Sequence, residues 1–147
     1  MLIKAEIDER YKETEIHVCN REKTEEVKQL LTELHNFYDI ALMGTDERGN
    51  KVRISPRELV SFYAEGQKVF ALGAKEKYAV TRKLYELEKE LESIGFARIS
   101  KSELVNIKRI KSMDLSLTGT IRIIMNTGYE TYTSRRNVAK IKEMTKR

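Results

Sequence analysis

At 147 residues, with 40% hydrophobic and 35% charged side chains, the chain has room for one ordinary domain and a small extension, with enough apolar content for a core. Its net charge of +5 is uneven: residues 1–97 hold 16 Lys and Arg against 19 Asp and Glu, whereas residues 98–147 hold 12 against 4. One Cys excludes an internal disulfide and suits a reducing cytoplasm, no apolar run approaches bilayer length, and no signal peptide precedes the first charged residues.

Residues 2–20 alternate in places, through Ile3, Ala5 and Ile7 and again through Ile16, Val18 and Asn20, which predicts one or two strands around a charged interruption. His17 and Cys19 would share a strand face, but with His35 as the only other His they lack the partners of a metal site. Val27, Leu30, Leu31 and Leu34 follow the spacing of one buried helical stripe, so a helix is predicted over 24–37, with Thr24 as N-cap and Glu25 and Glu26 in the first turn. That stripe either packs on the preceding strands or meets a second chain.

Residues 37–43 are predicted as a short strand, and Gly44 to Asn50 has turn chemistry without EF-hand spacing. A strand at 51–54 completes a hairpin. Ser55-Pro56-Arg57-Glu58 has the form of a capping box that opens only one turn, because β-rich residues follow. Residues 59–64 and 69–72 read as a hairpin tipped by Glu65, Gly66, Gln67 and Lys68, and 78–81 as a strand leading into a helix over 82–93. That helix buries Leu84, Leu87, Leu91 and Ile94. Its outer face is acidic, through Glu86, Glu88, Glu90 and Glu92, so DNA would repel it. This argues against a helix-turn-helix, whose recognition helix is basic.

Gly95 ends the helix. Phe96 to Asn106 then sets Phe96, Ile99, Leu104 and Val105 as anchors and leaves Arg98, Ser100, Lys101, Ser102 and Asn106 for solvent or a ligand. Arg98 is expected to pair with an acid and Asn106 to close a turn. Residues 105–113 read as one strand, and 120–125 and 129–133 as a hairpin over Asn126-Thr127-Gly128. Ser134, Arg135, Arg136 and Asn137 fall where a strand ends and a closing helix begins, with Val138, Ile141 and Met144 as its apolar positions.

Enzymatic chemistry has no support: there is no Gly-rich phosphate loop, no metal-ligand cluster and no nucleophile elbow, and no cofactor or metal is implied. The basic final third favours a polyanion, and Arg, Lys, Ser and Asn are the side chains that bond phosphate oxygens and base edges.

Phe96-x-Arg98-Ile99-x-x-Ser102-x-x-Val105-Asn106, then a hairpin, then Ser134-Arg135-Arg136, resembles the LytTR DNA-binding domain of bacterial transcription regulators. The strand at 59–66, the helix at 82–91 and the strand at 106–110 fit the same order, so the resemblance covers 44–147. It implies an α+β, mostly β fold of antiparallel sheets with one main helix, preceded here by a small strand–helix extension over 1–43. It also implies DNA contacts from loops: Gln67 and Lys68 on the first tip, where a solvated turn is an equal reading; Lys101 and Arg136 at the family's base-reading positions; and Ser100, Ser102, Ser134 and Arg135 on phosphates. The family often has His before the position of Lys101, where this chain has Ser100, which puts the preferred DNA sequence in question.

The resemblance further implies paired direct repeats as target. The chain has no room for a receiver domain, so it is similar to stand-alone LytTR regulators, several of which are restrained by a membrane protein. The stripe Val27 to Leu34 is the expected place for a homodimer or inhibitor contact. Two other classes stay open: an interaction module whose basic face binds an acidic partner or membrane protein, and an RNA-binding domain in which Tyr129 and Tyr132 stack on bases.

Overall fold

The computed structural model describes residues 1–38, 40–116 and 118–145. Contacts divide the chain into two units, Met1–Asp39 and Ile40–Arg147.

In the first unit, residues 1–24 form no strand, contrary to the alternation read there. Ile3 and Ile7 are 88% and 95% exposed, and a turn closes at Asp8, where the backbone N–H of Tyr11 donates to its carbonyl at 3.2 Å. The reason is physical: three apolar residues spaced by charges bury too little, and a strand without a partner has no ladder. Helix α1 (Glu25–Tyr38) is present, and Thr24 Oγ1 accepts the N–H of Val27 at 3.3 Å, as an N-cap does. Val27, Leu30, Leu31 and Leu34 are half-buried on one face of it. His17 is bonded to Glu15 at 2.6 Å and Cys19 is free and exposed.

The second unit begins before residue 44. Phe37 and Tyr38 continue α1, and the strand expected at 37–43 starts later, as β1 (Leu42–Thr45), which pairs with β2 (Lys51–Ile54). The boundary expected at 43–44 therefore falls inside a strand of the main sheet. Pro56–Glu58 is the single turn foreseen, but Ser55 makes no side-chain capping bond, so the capping box is not formed.

Strands β3 (Ser61–Glu65), β4 (Lys68–Leu72), β5 (Lys77–Val80), β6 (Phe96–Ser100) and β7 (Glu103–Asn106) complete a seven-stranded antiparallel sheet of order β2-β1-β5-β4-β3-β7-β6. Between β5 and β6 lies α2 (Leu84–Leu91), continued by a tight turn over Glu92–Ile94 that ends on Gly95 at φ +105°. The strand expected over 105–113 is broken: Asn106 accepts the N–H of Lys108 at 3.2 Å, caps a 3₁₀ turn (Ile107–Arg109), and only then does β8 (Ile110–Asp114) begin. This change of direction carries the chain into a second sheet, where β8, β9 (Thr120–Met125) and β10 (Glu130–Ser134) lie in the order β10-β9-β8. Helix α3 (Arg135–Thr145) follows β10 directly.

Two cores result. Leu84, Leu87, Leu91 and Ile94 cover one face of the large sheet over Phe62, Ala71, Phe96 and Leu104, with the rings of Phe62 and Phe96 5.3 Å apart. On the other face Val60, Ala97, Ile99 and Val105 pack against Ile123, Met125 and Ile141 of the small sheet and α3. Among the described residues no helix is long and apolar enough to cross a membrane.

One polar group lies in this second interface. Glu103 is 8% exposed and accepts from Ser61 Oγ at 2.6 Å, Tyr129 Oη at 2.8 Å and Thr131 Oγ1 at 2.5 Å. Glu103→Ala would leave three hydroxyl donors without an acceptor. At about 1–3 kcal/mol for an orphaned buried group, the loss is expected to be on the order of 3 kcal/mol, well above that of an exposed Glu47→Ala. Urea unfolding of both variants checks this.

Candidate nucleic-acid interface

The two polar clusters of the sequence meet at one end of the large sheet. Strand β3 runs into its turn at Gly66, whose φ of +62° is one that L side chains rarely adopt, and Gln67 and Lys68 follow, both exposed. Neighbouring β7 starts at that same end, with Tyr63 opposite Glu103 and the N–H of Ala64 donating to the carbonyl of Ser102 at 2.8 Å. The Gly66-Gln67 tip and the Lys101-Ser102 tip are therefore neighbours.

The third segment is brought in by an irregularity. In the β6–β7 pair, Arg98 lies opposite Leu104 and Ser100 opposite Glu103, so Ile99 is an extra residue in a bulge. Its carbonyl accepts two bonds at 2.8 Å, from Thr133 Oγ1 of β10 and from Asn137 Nδ2 of α3. The segment Ser134, Arg135, Arg136 lies between these two anchors. It is thus fixed two residues from Lys101.

The tip itself is braced. Arg98 Nη1 donates to the carbonyl of Lys101 at 2.7 Å, while its Nη2 pairs with Glu88 of α2 at 2.8 Å. Ser100 Oγ accepts the N–H of Ser102 at 3.3 Å and faces its hydroxyl at 3.4 Å. Arg98 and Asn106 have the structural roles expected of them. Arg135 donates to the carbonyl of Leu115 at 3.3 Å, which ties the start of α3 to the segment after β8.

The charges sort by position. Lys68, Lys101 and Arg136 are exposed, and among the described residues no carboxylate pairs with them. The acids of α2 are engaged elsewhere: Glu86 and Glu90 hold Arg82, and Glu88 holds Arg98. Tyr129 is not a stacking platform. Its hydroxyl is bonded to Glu103, and burial together with that carboxylate pushes its phenol well above the usual range. Tyr132 alone of that pair is open, at 53% exposure. The arrangement that the RNA reading required is therefore not formed.

A two-sheet scaffold that presents basic, amide and hydroxyl side chains on two hairpin tips and a helix start is an arrangement suited to a DNA-binding domain. Residues 49–146 match the model of the LytTr DNA-binding domain, and the chain belongs to that family. Over 90 residues it is 38% identical to proteins named as uncharacterized HTH-type transcriptional regulators in Staphylococcus aureus strains NCTC 8325 / PS 47 and COL, covering 61% of this chain and 60% of each of them. The chain thus spans about three fifths of the length of those relatives. A solved LytTr DNA-binding domain from Bacillus cereus superposes with a TM-score of 0.64 at 17% identity, over 71% of this chain and 95% of that one, which shows the shared fold. No two α-helices are consecutive within the described residues of the second unit, so the fold here is not a helix-turn-helix.

Sequence reasoning missed Thr133 and Asn137 as the residues that set the interface. A bulge leaves no composition signal, although the β-strand alternation of Thr131 and Thr133 points both to one face. Asn137→Ala removes one bond of the Ile99 carbonyl. It is expected to cost about 1 kcal/mol and to speed amide exchange at residues 134–137 while leaving α2 unchanged, as hydrogen-exchange mass spectrometry would measure.

Proposed function

We propose that the chain is a sequence-specific DNA-binding transcriptional regulator that reads the major groove with loop and strand-end side chains. The observation that carries this is the convergence of three polar segments on one sheet end through the carbonyls of Ser102 and Ile99. Arg136 is the residue for bidentate contact with guanine N7 and O6, and Lys101 for a base or the next phosphate. Gln67 reaches a base edge and Lys68 a phosphate from the first tip. Ser100, Ser102, Ser134 and Arg135 hold phosphates and fix register. Side chains that only bond phosphate add affinity without regard to sequence.

The setting proposed is cytoplasmic, with no catalytic role. The target is a pair of direct repeats, which suits two copies side by side. The stripe Val27, Leu30, Leu31 and Leu34 serves as a contact for a second copy or a restraining membrane protein, supported by its partial exposure on an amphipathic helix. Leu30→Asp with Leu34→Asp should lower the apparent mass on size exclusion while DNA binding by each copy persists. A folded variant of unchanged oligomeric state would remove the dimer.

Selection of bound sequences from a random duplex library at physiological salt is expected to enrich a repeat motif. Arg136→Ala should degrade one position of it and cost about 1–3 kcal/mol there. Ser134→Ala should weaken all sequences alike. Salt-sensitive binding without enrichment would instead favour an interaction module for acidic partners.

A further inference from the structure

The end of the large sheet that bears the two tips continues beyond them, past β4, through β5 and β1 to the edge strand β2. The registers fix what lies there. Val69 is opposite Val80, so β5 ends at the tip end; Thr45 is opposite Ala79, which puts the start of β1 there too; and Met43 is opposite Arg53, which puts the end of β2 there. Lys51, opposite Thr45, lies toward the other end of the same strand.

Arg53 and Met43 are exposed on the same face of the sheet, Met43 by 59%. Arg53 is paired with no acid among the described residues, unlike Arg82 at the same end, which Glu86 and Glu90 hold. A guanidinium left free at the edge of a sheet, in line with Lys68 and Lys101, meets a line of phosphates rather than one anion.

We infer that Arg53 is a phosphate clamp for duplex DNA flanking the bases that the tips read. This rests on the base-reading assignment above. Strands are spaced about 4.8 Å apart, so Arg53 stands about 14 Å along the edge from β4. Duplex DNA rises about 3.4 Å per base pair, so the clamp meets the backbone about four pairs outside the contact of Gln67 and Lys68. The bound site is longer on that side than the read motif, and the extension is independent of sequence.

The test uses the full chain and the motif obtained by selection, in three duplexes: one trimmed flush with the motif, and two extended by six base pairs on one side or the other. Wild type should bind one extended duplex several-fold more tightly than the trimmed one and gain little from the opposite extension. Arg53→Gln should lose that gain and show a log–log salt slope shallower by about 0.9 on the favoured duplex. Lys51→Gln removes the same charge from the other end of β2 and should keep the gain. Both variants should melt as wild type does. Extension without effect in the wild type, a gain that survives in Arg53→Gln, or an equal loss in Lys51→Gln overturns the clamp while base reading stands. The absence of any enriched motif overturns base reading and the clamp with it.

Discussion

The Glu103 carboxylate is the constraint on which the rest of the second unit depends. Apolar packing between two sheets is non-directional and tolerates rotation of one on the other. A buried carboxylate does not tolerate it, because every lost hydroxyl leaves a polar group without a partner. Here one oxygen takes Ser61 and Tyr129 and the other takes Thr131, so β3, β7 and the small sheet are pinned at one point. Glu103 is also the first residue after the Lys101-Ser102 tip. The base of that tip is thereby set by the same bonds that orient the sheets.

From that point the small sheet carries geometry outward. Thr131 and Thr133 share one face of β10, and they bond Glu103 and the Ile99 carbonyl in turn. Asn137, four residues on from Thr133 and in the first turn of α3, reaches the same carbonyl. Three side chains along one strand and one helix start thus fasten the chain on either side of Ser134 and Arg136. Precise polar recognition needs side chains held to within about half an ångström, and a ladder running from a buried carboxylate to the surface restrains this segment more than a free loop would.

Much of this was legible in the sequence, and for local reasons. The hairpins over Gly66 and Gly128, the buried stripe of α2 and the end of that helix at Gly95 follow from side-chain period and turn chemistry. The polar clusters were found because Lys, Arg and Ser gathered at the ends of apolar strands. What was not legible is non-local. The alternation of Ile3, Ala5 and Ile7 has the right period but no partner strand. The run from Val105 to Met113 looks continuous because a capping Asn is not visible in a hydrophobic pattern. The bulge at Ile99 exists only as a relation between two strands, and so does the bond from Arg98 to the Lys101 carbonyl. The role of Glu103 is not visible in the sequence because its three hydroxyl donors lie 26 to 42 residues away.

Charge shows the same difference between sequence and surface. The final third has a large formal excess of Lys and Arg, yet several of its cations do not face outward as free charges. Arg98 is paired with Glu88, which lies in the acidic part of the chain, and Arg122 with Asp114 and Glu130. These arginines hold the scaffold and add little to long-range attraction. Of the acids in the first part of the chain, Glu88 is neutralised in this way by Arg98. Lys68, Lys101 and Arg136, by contrast, are exposed and pair with no carboxylate among the described residues. Phosphate attraction strengthens every site alike, so a cation held by an acid adds less to the non-specific background than a free one does.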